Sequence, residues 1–232
     1  TSAALQPGPQ AYPIDVLPQQ LEVLRAYLLE AEGHEGFEPE SPYRGIHAMP
    51  SGEGFPDIWL LGSSPQTAAF AGVMGLPFCY AQFIVGEGTK AALDAYRSNF
   101  KPSLHLTEPY CAVGLSALCA ETTEEVDYLM ASRHLWTLRF MAGRLGPFPP
   151  DEEAQNYDFQ ASDQAQIERF STRGIKGTPT EIRTQLDQLE SQTGADEAIL
   201  VTITYTFQAR LKSYQLIAEA MGLNAPESPV ST

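Results

Sequence analysis

The residues with the clearest chemical potential lie in Trp59-Leu60-Leu61-Gly62-Ser63-Ser64-Pro65-Gln66-Thr67, where an apolar run meets a small, hydroxylated turn. Gly62 lets the backbone approach a ligand, Ser64 is placed as a helix N-cap with Pro65 at the first helical position, and Thr67 lies one turn inside. The chemistry this pattern implies is anion binding. Free N–H groups at the positive end of a helix dipole, with two or three hydroxyls, can surround a phosphate. A serine that only caps its own helix satisfies the same spacing, and the residues alone leave both readings open. The Walker pattern with its lysine and the G-x-G-x-x-G pattern are both absent, so neither a P-loop nor a dinucleotide fingerprint is supported.

Other chemistry-bearing residues give weaker signals. His34, His47, His105 and His134 are scattered with no spacing that suggests a metal, and read as surface or capping residues. Cys79, Cys111 and Cys119 sit inside apolar runs without C-x-x-C spacing, so neither a zinc site nor a disulfide framework is expected and a reducing compartment fits. Glu121, Glu124 and Glu125 read as the solvated first turn of a helix, where carboxylates favour the dipole. Ser64 is not in a G-x-S-x-G elbow, which disfavours a hydrolase nucleophile. Trp59 and Trp136 read as core, Arg210 and Lys212 as surface. No general acid or base stands out.

Composition sets the outer limits. The 232 residues carry 14 Lys plus Arg against 29 Asp plus Glu, a net charge of −15, which argues against a broad basic face for nucleic acid or anionic lipid. Any anionic ligand must therefore be held by local donors. With 43% hydrophobic and 19% charged residues the chain can bury a sizeable core. The opening TSAALQPGPQ has no charged n-region before an apolar stretch, and no window is long and apolar enough to span a bilayer. A cytoplasmic protein without membrane or nucleic-acid partners is expected. The chain begins with Thr1, which points to processing or to the later part of a longer gene product.

The elements that position the turn follow from periodicity. Leu21, Leu24 and Leu28 predict a helix from Pro18 to Gly33, followed by a long loop or short hairpin over 33–57. Asp57–Leu61, Pro77–Val85, Tyr110–Ala120 and Glu197–Tyr205 are continuous apolar runs that predict four buried strands. Helices are predicted after each: to Met74, then through Leu93, Tyr96 and Phe100, then from a Thr122/Glu125 capping box toward Gly143, and last along Phe207 to Met221. A further helix starts at Thr178-Pro179-Thr180-Glu181, another capping box. Residues 144–177 read as an insertion with a short helix over Asp163–Phe170, and residues 223–232 as a disordered tail. One domain over 1–222 is expected, of parallel α/β class. Periodicity does not separate a doubly wound sheet from part of a (β/α)8 barrel.

The run PDIWLLGSSPQTAAFAGVMGLPF, with GTPTEIRTQLDQLESQTGADEAILVTITYTFQARLKSYQLIAEA near the end, resembles the flavin-dependent luciferase-like monooxygenases, in particular their bacterial oxidoreductase branch. YRSNFKPS and PYCAVGLSALCAETTEEV extend the resemblance over nearly the whole chain, less so at 144–170. It implies a TIM (β/α)8 barrel that binds FMN at the C-terminal ends of its strands. It also implies a reaction in which reduced FMN, supplied by a flavin reductase, activates O2 to oxygenate a small organic substrate. By the family pattern Gly62, Ser63, Ser64 and Thr67 contact the flavin phosphate, and Gln82, where relatives often carry Ser-His, faces the flavin ring or substrate. Gln82 is equally readable as a polar residue ending a strand. The resemblance further implies that this chain carries strands five to eight. A half barrel leaves strand edges and an inner face open, so either a truncated sequence or self-association as a homo-oligomer is expected. A noncatalytic flavin-binding or barrel-remnant protein and a doubly wound phosphate-ligand protein are the alternatives.

Overall fold

A computed structural model describes residues 16–52, 54, 56–103 and 106–223. His105 and all but the first residue of the expected tail fall outside that set. The chain divides into two units, Thr1–Ile58 and Trp59–Thr232. In the first, helix α1 (Leu17–Ala31) starts with proline in its first turn and buries Leu21 and Ala26, while Leu24 of the expected stripe is 45% exposed. Its Tyr27 ring meets Phe37 edge-on at 4.7 Å. Gly36 allows this return of the chain, because a Cβ there would stand 2.0 Å from the Ala26 carbonyl oxygen.

The second unit is built on a parallel sheet of five strands, β1 (Leu60–Gly62), β2 (Phe78–Ala81), β3 (Cys111–Cys119), β4 (Gly174–Gly177) and β5 (Glu197–Val201). All nine residues of β3 are buried, as expected of a strand covered on both faces. Successive peptide groups of β3 turn to opposite edges. The Tyr110 carbonyl accepts from the Phe78 N–H, and the Ser116 and Ala120 N–H groups donate to Arg173 and Gly177, whereas the Cys111 carbonyl accepts from Asp196. One edge of β3 thus carries β2 along its first half and β4 along its second. The other edge carries β5 over Ala112–Ser116. Among the described residues β1 and β5 each pair on one edge only.

Helices α2 (Pro65–Val73), α4 (Thr89–Asn99), α8 (Pro179–Thr193) and α9 (Phe207–Ala220) cover one face. There Phe78, Tyr80, Val113 and Leu115 pack with Ala68, Ala71, Leu93 and Tyr96, and Ala117 and Cys119 pack with Ile182, Leu186 and Ile217. Each of the large side chains contributes about 1.5–3 kcal/mol by burial. The opposite face presents small residues, Ala112, Gly114 and Ser116, and at its far end Leu118 and Ala120 pack on Val126 and Leu129 of α5 (Thr123–Met141). Helices α6 (Asp151–Gln155) and α7 (Ala161–Ser171) follow α5. On that same face Leu61, Ile199 and Val201 remain 43–56% exposed. Among the described residues no helix is long and apolar enough to cross a membrane.

Most expected helix starts are present. Ser64, Thr122 and Thr206 accept hydrogen bonds from the N–H groups three residues on, and Thr178 and Glu181 form a reciprocal capping box. The strand expectations need four corrections. Pro77–Val85 is not one strand: β2 stops at Ala81, and Gln82–Val85 forms a helical turn, α3, closed by Gly86 at φ 87°. A longer β2 would bring residue 83 opposite Ser116, where Arg173 and Gly174 already occupy the edge. The same competition explains β4, a strand inside the expected insertion. Gly174 is required there, since a Cβ would lie 2.1 Å from Ser116 Oγ. β5 ends at Val201 because the next part of that edge is taken by side chains: Thr202 Oγ1 donates to the Ala117 carbonyl and Ser213 Oγ accepts from the Cys119 N–H, at 2.8 and 2.9 Å. At the start, β1 begins at Leu60 rather than Asp57 because β2 begins at Phe78.

Two stability predictions follow from this packing. The Tyr96 hydroxyl donates to the Leu76 carbonyl and accepts from the Tyr110 N–H, both at 3.1 Å, at the centre of the core. Tyr96→Phe leaves two backbone groups unpaired and should cost about 1–3 kcal/mol in urea unfolding; an unchanged midpoint would refute this role. His134 on α5 is held neutral down to about 4, against an ordinary 6.5, by burial first and then by Lys176 and Arg133. The unfolded chain therefore binds a proton that the folded one refuses. Stability from this residue is complete above about pH 6.5 and falls as pH drops toward 4, by roughly 2–3 kcal/mol. His134→Gln should flatten that part of the acid-side loss, measured as the difference in urea midpoint between pH 7 and pH 4.5.

Candidate functional site

Because the five strands are parallel, all their C-terminal ends open on one rim, and the Gly62–Thr67 turn stands on it at the end of β1. Ser64 has extended backbone and caps α2: its Oγ accepts from the Thr67 N–H at 3.2 Å and lies 3.1 Å from Thr67 Oγ1. Gly62 permits the turn to close, since a Cβ there would be 2.4 Å from Thr67 Cγ2. Gly62, Ser63, Ser64 and Thr67 are half-buried, neither lost in the core nor splayed into solvent. Within the described chain the Ser63 hydroxyl and the Gln66 N–H have no hydrogen-bond partner. The turn thus offers three hydroxyls and a free N–H at the positive end of a nine-residue helix.

Gln82 lies at the exit of β2, one strand over. Its Nε2 donates to the Thr172 carbonyl at 2.9 Å and its Oε1 accepts from Thr89 at 2.8 Å. Both ends of the amide are therefore engaged in tying α3 to the start of α4 and to the segment before β4. Phe83, next to it, lies 3.4 Å from where a Gly114 Cβ would stand, so a larger residue at 114 would press on this ring.

A further cluster escapes sequence reading. Ser116–Leu118 of β3, one face of α5, the end of α7 and β4 enclose a cavity of about 320 Å³. Arg133 lines it and donates from Nη2 to Ser116 Oγ at 2.9 Å. His134, which reads as a surface or capping residue in the sequence, lines it too, as do Lys176 and Glu168. Burial pulls Arg133 below its ordinary range. Among the described residues no carboxylate lies within 4 Å of Arg133 or Lys176. Met130, Arg133 and Thr137 recur at helical spacing, but charged residues at that spacing usually mark a solvated face, so the sequence carries no distinguishing signal.

The remaining candidates fall where chemistry is not concentrated. Lys212 reaches Glu121 at 3.2 Å on the surface, and Arg210 lies over the Phe207 ring. Trp59 and Trp136 are half-buried, Trp136 stacked on Phe140 at 5.4 Å. His47 faces Glu30 at 3.6 Å in the first unit. The three thiols are buried, and burial pushes Cys111 and Cys119 up to about 11, far from a reactive thiolate.

The family description "Luciferase-like monooxygenase" matches residues 10–197. "Uncharacterized protein YceB" of Bacillus subtilis is 32% identical over 185 residues, which cover 80% of this chain and 56% of that protein. The "Luciferase-like monooxygenase" of Escherichia coli strain K12 is 30% identical over 187 residues, again 80% of this chain and 56% of the relative. The crystal structure of apo-MsnO8 matches with a TM-score of 0.80 at 32% identity, covering 97% of this chain and 65% of that one. The chain spans little more than half the length of these two curated relatives. By sequence and by fold, it belongs to the luciferase-like monooxygenase family.

Proposed function

We propose that this chain is the phosphate-anchoring part of an FMN-dependent monooxygenase that uses reduced flavin and O2 to oxygenate a small organic substrate. The observation that carries the reading is the Gly62–Thr67 turn: a glycine that cannot be replaced without collision, three hydroxyls and an unused N–H, half-buried at the rim of a parallel sheet. These donors fit a phosphate. Ser63, Ser64, Thr67 and the Gln66 N–H would hold it, with the α2 dipole adding to the attraction. Bound reduced flavin would supply the electrons for O2 activation, while the protein supplies orientation and shelter from water. Gln82, whose amide is committed to Thr172 and Thr89, would hold the rim beside the flavin ring or the substrate through α3. A separate flavin reductase would deliver the reduced cofactor.

The architecture that goes with this reading is a (β/α)8 barrel in which β1, β2, β3 and β5 form strands five to eight, with β4 an addition on the edge of β3. Two features support it: helices cover one face of the sheet, and Leu61, Ile199 and Val201 are left exposed on the other. Within such a barrel the exposed side chains would join an inner packed layer, or an interface in a homo-oligomer.

The test separates phosphate from ring. Ser64→Ala combined with Thr67→Ala removes two charge-assisted hydrogen bonds and should weaken FMN by roughly ten- to a hundredfold while changing riboflavin by less than about twofold. Absorbance or fluorescence titration of both flavins, with circular dichroism to confirm that α2 survives the loss of its cap, provides the measurement. Equal losses for the two ligands would reject the phosphate role, and a wild-type chain indifferent to FMN would reject the cofactor.

A further inference from the structure

The Arg133 cavity is not needed to anchor a phosphate at β1, yet its lining is net cationic in a chain of net charge −15. Its lining holds Arg133 and Lys176 against a single acid, Glu168, and a His134 kept neutral near pH 7, so its net charge is +1. Arg133 makes a single hydrogen bond, to a neutral hydroxyl, and leaves most of its five donors without a partner among the described residues. A half-buried guanidinium without a carboxylate has spare donors that an anion can meet. The rest of the wall is apolar, with Leu118, Met130, Ile167, Phe170 and Ile175. The volume of about 320 Å³ falls at the lower end of small-molecule sites and is larger than a bare ion requires.

From this arrangement we infer that the cavity binds an organic monocarboxylate, whose carboxylate pairs with the planar fork of Arg133, with Lys176 at its edge, and whose apolar body lies against Met130, Phe170 and Ile175. A planar, two-oxygen anion matches a guanidinium bidentately, and a single negative charge matches the net charge of the walls. The cavity lies along the C-terminal half of β3, on the rim that also carries the Gly62–Thr67 turn. On the monooxygenase reading, on which this step alone rests, the carboxylate is the substrate class. Gln82, at the exit of β2 beside β1, bonds to the Thr172 carbonyl two residues before β4.

Calorimetric titration of the full chain, without flavin, with benzoate, its neutral isostere benzamide, and inorganic phosphate tests the assignment. Benzoate should bind at least about tenfold tighter than benzamide or phosphate, as charge-assisted pairing in a partly dry site requires. Arg133→Gln should remove that preference and leave benzamide unchanged, and Lys176→Gln, at an exposed position tolerant of substitution, should weaken benzoate by a few-fold. The second variant keeps the test decisive if the first does not fold. Equal binding of benzoate and benzamide, tighter binding of phosphate, or indifference of benzoate to both substitutions overturns the inference. FMN titrated in parallel separates the two proposals: benzoate bound without FMN removes the flavin reading and leaves the carboxylate site standing, whereas FMN bound without benzoate removes only the latter.

Discussion

Strand β3 is the constraint from which the rest of the second unit follows. Its nine residues are buried, its first half is paired on both edges, and its second half is contested between β4 on one edge and the Thr202 and Ser213 side chains on the other. A strand with both edges taken forces its neighbours to stop. β2 turns into α3 at Gln82, and β5 leaves the sheet at Thr202, so the rim becomes a place of turns and short segments where backbone groups and side chains can face a ligand.

The charge balance decides how such a rim can hold an anion. A chain with twice as many acids as bases repels anions at long range, and its binding sites must work at short range. The two anion sites proposed here would both work in this way. At β1 the donors are hydroxyls and a helix terminus, which need no formal charge. At β3 the donor would be a half-buried guanidinium with apolar side chains along part of the same wall. Neither depends on a positive surface.

Membership of the luciferase-like monooxygenase family and the form of the sheet support each other. One face is sealed by four helices around Tyr96 and Leu93, while the other combines small residues in β3 with exposed aliphatic ones at Leu61, Ile199 and Val201. Small residues at Ala112, Gly114 and Ser116 allow close approach, from Phe83 in one case and from the Arg133 side chain in another. An open face of this kind is suited to cover by further packed layers, and the matched residues make up 56% of each of the two curated relatives.

What depends on neighbours along the chain can be read from the residues alone. The Ser64, Thr122 and Thr178 helix starts, the burial of β3 and the turn on the C-terminal side of β1 are all legible, because capping and burial are written in residues three or four positions apart. The family resemblance was legible for the same reason, in blocks of contiguous residues. Competition for one strand edge is settled in three dimensions, and it sets the end of β2 at Ala81, the strand at Gly174–Gly177, and the end of β5. The tertiary structure alone brought Arg133, His134, Glu168 and Lys176 to one cavity, since on an isolated helix a charged residue among polar neighbours looks solvated until another element covers it.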